Sequence, residues 1–129
     1  MGIYDIFGTS KELETNGTPL KFGDTTIYVK RAGGHNREYK KTLAEKTREF
    51  LKNNGVITAD DAEVIIAEVY AETIIAGWDN LTDKSGTIIE YNKENCTKLL
   101  LDLPDLVEAI EKVITNISYF QKDEDDIKN

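Results

Sequence analysis

Residues Ile74 to Tyr91 read Ile-Ile-Ala-Gly-Trp-Asp-Asn-Leu-Thr-Asp-Lys-Ser-Gly-Thr-Ile-Ile-Glu-Tyr, and they hold the only tryptophan, Trp78. An apolar helical pattern ends just before Trp78, at Gly77. The turn formers Asn80, Asp83, Ser85 and Gly86 follow. Thr87-Ile88-Ile89-Glu90-Tyr91 then has the β-branched and aromatic composition of a short strand, and a new helix is expected from Asn92. A buried tryptophan removes a large apolar area from water, so this corner is expected to pin its neighbouring helices together.

On the C-terminal side, Asn92 is placed to cap a brief helix that carries Glu94 in its first turn and ends near Leu101. Leu103-Pro104-Asp105 restarts the chain in a last helix. There Leu106, Ile110, Val113, Ile117 and Phe120 step by four, three, four and three, one apolar stripe. Residues 121–129, with the run Asp123-Glu124-Asp125-Asp126, read as an acidic disordered tail.

On the N-terminal side, Thr58 caps a helix predicted to run to about Ala76, with Asp60 and Asp61 where the helix dipole is positive. Its apolar positions, including Ala62, Val64, Ile66, Val69, Tyr70 and Ile74, cover more than one stripe. Such breadth implies a helix buried on several sides or one with a face reserved for a partner. An earlier helix is expected from Asn36 or Arg37 to Lys52, with Tyr39, Leu43, Thr47 and Phe50 or Leu51 at helical spacing and Asn53-Asn54-Gly55 as its cap. Lys11 to Ala32 reads as strands: Lys11–Thr15, a hairpin turn at Asn16-Gly17, Leu20–Phe22, a turn at Gly23-Asp24, then Thr25–Lys30. Residues 1–9 read as a loose lead-in that docks through Ile3, Tyr4, Ile6 and Phe7.

The expected fold class is therefore α+β, mainly α. A small N-terminal antiparallel β element precedes about four helices, with a short strand between the second and third. One domain is expected over 1–120, with a β-rich lead-in at 1–33 and a helical body at 36–120. A chain of 129 residues with 40% hydrophobic and 31% charged content suits a globular protein with a charged surface. No apolar run approaches the roughly 18 residues of a membrane span, and no secretory signal is apparent at the N-terminus. Cys96 is the single cysteine, so no disulfide framework is expected and a reducing cytoplasm fits. Residues 1–55 carry 10 Lys or Arg against 7 acids, whereas residues 56–129 carry 6 against 17. The acidic half argues against nucleic acid as a partner and for a basic protein.

Little points to catalysis. His35, the only histidine, lies in a Gly-Gly-His-Asn break and reads as a loop residue. Cys96 reads as a small core residue. Asp79 and Glu90 are spaced like the first and last ligands of a calcium loop, but Leu81 and Lys84 stand where a ligand and a glycine are needed. Gly33-Gly34 beside Arg31 and Arg37 lacks the rest of a phosphate loop. Asp60-Asp61 reads as helix-start chemistry. No catalytic, cofactor or metal residues are expected, and no enzyme activity. What remains is apolar helical surface, represented by Val69, Tyr70, Ile74, Trp78, Ile110, Ile117 and Phe120, as core or as a groove for an amphipathic partner helix.

The pattern Ile75-Ala76-Gly77-Trp78-Asp79, an acid-rich turn ending in Gly86, Ile89 to Asn95, Leu99-Leu100, Leu103-Pro104-Asp105-Leu106 and a helix ending at Phe120 resembles the tail assembly chaperones of long-tailed bacteriophages. Ile27 to Gly33 and Asn36-Arg37-Glu38-Tyr39 resemble their lead-in. The likeness implies a non-enzymatic helper in the cytoplasm of an infected bacterium. It would bind the tape measure protein, keep it soluble, help recruit tail tube protein and be absent from the mature virion. Homo-oligomerisation is compatible with it; nucleic acid, membrane and cofactor play no part. A structural virion component, such as a tail completion or head–tail connector subunit, is the alternative.

Overall fold

The computed structural model describes residues 1–121, so of the expected tail only Gln121 is described, and the acidic run at Asp123–Asp126 lies outside the described residues. Two short helices, α1 (Ile3–Phe7) and α2 (Lys11–Asn16), lead into strands β1 (Thr18–Phe22) and β2 (Thr25–Val29). Helices α3 (Arg37–Asn54) and α4 (Ala59–Thr73) follow, then strand β3 (Ile75–Asp79), helices α5 (Lys93–Asp102) and α6 (Pro104–Ile114), and a closing 3-10 turn, Ile117–Phe120. The fold is mainly helical with a small antiparallel sheet, as the sequence pattern implies.

β2 is the centre of that sheet. It pairs antiparallel with β1, in register from Thr18↔Val29 to Phe22↔Thr25, and antiparallel with β3 through Thr26↔Asp79, Ile27↔Trp78 and Tyr28↔Gly77, with a bulge at Tyr28/Val29. The sheet therefore joins the N-terminal hairpin to a strand that arrives only after two helices. Ile27, Val29, Ile75 and Trp78 turn one face of it into the core, where Tyr70, Ile74, Cys96, Leu100, Ile110 and Ile114 meet them.

Five expectations shift at the residue level. Lys11–Thr15 is helical, not a strand. The Ser10 hydroxyl accepts from the Leu13 amide at 3.2 Å, and Glu12 and Glu14 sit in the first turn. Gly17, at φ +92°, ends this helix instead of turning a hairpin; a left-handed residue serves either purpose. A side chain there would also crowd β2, because a Cβ would lie 3.0 Å from the Val29 amide nitrogen. The hairpin turn is at Gly23-Asp24, between β1 and β2.

The second shift is at the Trp78 corner. α4 stops at Thr73, and Ile75–Asp79 is the short strand between helices, with Gly77 inside it. Thr87–Tyr91 makes only one isolated bridge, Thr82↔Ile88. Third, the last helix ends at Ile114, and the stripe continues through the 3-10 turn, which leaves Ile117 half-buried but brings Phe120 fully inside. Residues 1–9 contain helix α1, none of whose residues is buried. Gln121, expected to fray, instead donates from Nε2 to the Ile6 and Gly8 carbonyls, each at 2.9 Å.

The remaining helix boundaries follow their local signals. Thr58 and Asp61 form a reciprocal capping box at 3.1 and 3.0 Å. The Asn92 side chain accepts from the Asn95 amide at 2.7 Å. Gly55, at φ +80°, closes α3. Among the described residues, no helix is long and apolar enough to cross a membrane.

Candidate functional site

Of the seven residues singled out as core or partner contacts, six are interior: Val69, Ile74, Ile110 and Phe120 are fully buried, and Tyr70 and Trp78 nearly so. Trp78 is held on both sides. Its indole Nε1–H donates to the Ile89 carbonyl at 2.9 Å, and Tyr91 packs edge-on with ring centroids 5.0 Å apart. The Tyr91 hydroxyl then donates to the Ile75 carbonyl at 2.8 Å, so the 80–91 loop is clasped to β3. Within that loop Asp83 Oδ1 accepts from the Ser85 amide and hydroxyl and the Thr87 amide, at 2.7–3.0 Å. The carboxylate expected at a turn thus binds its own backbone, and these hydrogen bonds hold its pKa below the ordinary value.

The groups with reactive chemistry are not brought together. The His35 side chain is 86% exposed, 4.0 Å from Glu14. Glu14 in turn faces Arg31 at 3.4 Å and accepts from the Thr9 hydroxyl at 2.6 Å. This arrangement occupies Arg31, one of the two cations beside Gly33-Gly34. Cys96 is fully buried, and burial pushes its thiol up to about 12, far from the thiolate range that reactive cysteines need. Among the described residues, no cluster of three or more His, Cys, Asp or Glu is arranged to hold a metal ion.

One of several concave features lies where α4, α5 and α6 come together. A groove of about 340 Å³ runs between the first half of α4 and the first turns of α6, floored by the end of α5. Ala62, Ile66, Leu100, Leu101, Pro104 and Val107 give it an apolar lining. Leu100 is buried and belongs to the core, whereas Leu101 is 42% exposed at the lip. Pro104 at the start of α6 sets this geometry: it ends α5 within two residues and re-aims the chain. The charged residues lining the groove, Glu63, Glu108 and Glu111, are all acidic and exposed. Among the described residues, the ion pairs to lysine and arginine use Glu14, Glu68, Glu72 and Asp102, none of which lines the groove.

The Glu111 charge is also felt by the tyrosines behind the groove. Tyr39 and Tyr70 pack with ring centroids 6.2 Å apart. Burial, then the neighbouring ring, then the Glu111 charge push the Tyr70 phenol well above its ordinary range.

A model of the YdaY prophage protein family matches residues 34–128. The chain belongs to the YdaY prophage protein family. It is a phage-derived protein. No curated protein and no solved structure matches it. The YdaY match covers α3 to α6, and so takes in every residue that lines the groove, while α1, α2, β1 and β2 precede it.

Sequence reasoning passed over the rim of this groove. It weighed Ala62 and Ile66 as apolar helix positions and Leu100 and Pro104 as parts of a pattern, but not Glu63, Glu108 and Glu111 together. The local signal was present: Glu108 and Glu111 are three apart beside Val107, and so share one helical face next to an apolar residue. That Glu63 of α4 faces them was legible only in three dimensions.

Proposed function

We propose that this YdaY-family protein is a tail assembly chaperone. It binds the phage tape measure protein in the cytoplasm of the infected host, keeps that long chain soluble, and helps bring tail tube subunits to it. It performs no bond-making chemistry and leaves before the particle matures. The observation that carries this reading is the groove at the α4–α5–α6 junction: an apolar trough open to solvent on the outer side of the core, sharing Leu100 with it. Apolar troughs between helices receive the apolar face of an amphipathic helix, and long helical chains with unpaired apolar stripes need such cover to stay dispersed. The family's phage origin supplies the setting.

Co-expression with the tape measure protein of the same phage tests this directly. The tape measure should move to the soluble fraction and co-purify with the chaperone. An unchanged insoluble tape measure with no co-purification overturns the reading.

One observation favours a second reading, a structural virion component. Helix α1 exposes Ile3, Tyr4, Ile6 and Phe7, at 67, 90, 48 and 64%, the kind of apolar segment that assembled subunits cover. Mass spectrometry of purified particles separates the two. A chaperone is missing from them, and a connector or completion subunit is present at fixed copy number.

A further inference from the structure

We infer that the groove at the α4–α5–α6 junction selects an amphipathic helix whose apolar stripe is flanked by lysine or arginine. The inference rests on the chaperone reading and deepens it by naming the chemistry of the segment that is bound. The trough offers Ile66, Leu101 and Val107 to an apolar stripe. Its charged margins are of one sign: Glu63 on the α4 side, Glu108 and Glu111 on the α6 side. A helix lying in the trough would place the residues beside its stripe against these carboxylates.

The rim acids have no lysine or arginine ion-pair partner among the described residues. Lysine or arginine flanks would therefore gain a new interaction without breaking an existing pair. Acidic flanks would bring like charges together at the edge of a low-dielectric trough, a repulsion that rejects the wrong partner. Exposed pairs are individually weak. Discrimination is expected from several acting together on two sides of one helix, and it should fade as salt screens them.

The test uses the full chain and two synthetic peptides of about four helical turns. Both carry the same leucine stripe; one is flanked by lysine and the other by glutamate. Fluorescence anisotropy at low salt should show the lysine-flanked peptide binding about tenfold more tightly or better. The triple variant Glu63→Lys, Glu108→Lys, Glu111→Lys should abolish or invert that preference. A charge-matched control, Glu38→Lys, Glu45→Lys, Glu49→Lys, reverses three exposed acids of α3 that do not line the groove, and should keep it. Leu101→Glu, at the exposed lip, should weaken both peptides.

Equal affinity for the two peptides, or equal loss in the control variant, overturns the inference and reduces the effect to net charge. Tape measure solubility rescued as well by the Glu63/Glu108/Glu111 triple variant as by the wild type also overturns the groove while leaving the chaperone reading intact. A clear lysine preference in a protein that fails to solubilise the tape measure supports the groove's specificity and overturns the chaperone reading.

Discussion

Trp78 shows how much one side chain can organise. It sits mid-strand on β3, opposite Ile27. Its ring closes the core, its Nε1–H holds the Ile89 carbonyl, and its edge meets Tyr91. Replacing it with alanine removes apolar contact area and an aromatic pair, and leaves the Ile89 carbonyl without its indole donor. Trp78→Ala is expected to cost on the order of 3 kcal/mol in urea unfolding. A loss below about 1 kcal/mol would mean that the surroundings collapse to fill the space. Asn36 works in a quieter way. As the residue before α3 it makes no side-chain cap; its Nδ2 instead donates to the Arg31 and Thr73 carbonyls at 2.8 and 2.9 Å. That fork ties the 31–36 loop to the end of α4, where the chain turns into β3. Asn36→Ala should cost about 1–3 kcal/mol by the same assay, because two part-buried carbonyls lose their donor.

At the scale of elements, α1 and α4 make a contrast. α4 is apolar on several sides because it has several neighbours. Ile65, Ala67, Val69, Tyr70 and Ala71 are buried, while Ala62 and Ile66 turn toward the groove. The breadth of its apolar pattern, two readings in the sequence, thus has both causes at different positions. α1 is the reverse case, an apolar segment with no buried residue, attached through the Gln121 side chain. Deleting residues 1–7 should change the unfolding free energy by no more than about 0.5 kcal/mol, as for other surface changes, measured in urea. A loss several times larger would show that this segment packs on the body.

At the scale of the whole molecule, three helices are cross-linked by charge. Lys46 of α3 lies 3.3 Å from Glu68 and 3.4 Å from Glu72 of α4, and Lys93 of α5 also pairs with Glu72. Burial pushes the Glu72 carboxyl up, but Lys93 and Lys46 outweigh it and hold the pKa below the ordinary 4.5. Glu14 is likewise held below 4.5, with burial opposed by Thr9, His35 and Arg31. A carboxyl whose folded pKa is depressed stabilises the fold fully above its unfolded value, and that contribution is lost as pH falls through the folded one. Urea midpoints should therefore be flat from about pH 5 to about pH 8 and fall below 4.5, the ordinary value from which both groups are shifted. Glu72→Gln should flatten that acid limb while costing under about 1 kcal/mol at neutral pH, because the pair is partly exposed and screened.

The chain's own letters were enough for the mainly helical class, the cap residues Thr58, Asn92 and Gly55, the Gly23-Asp24 turn and the burial of Trp78. Each of these is set by interactions within a few residues or by the size of one side chain. Tertiary structure alone decided that Ile75–Asp79 is a strand. Thr73, Ile74 and Ile75 are β-branched and suit strand as well as helix, and the pairing that settles it comes from β2, about fifty residues earlier in the chain. It also decided that Asn16-Gly17 ends a helix, since a left-handed residue fits a helix stop as readily as a hairpin. The acid-rimmed groove belongs to the same class. Its walls are distant in sequence, and no local pattern records that Glu63 will face Glu108 and Glu111 across a trough.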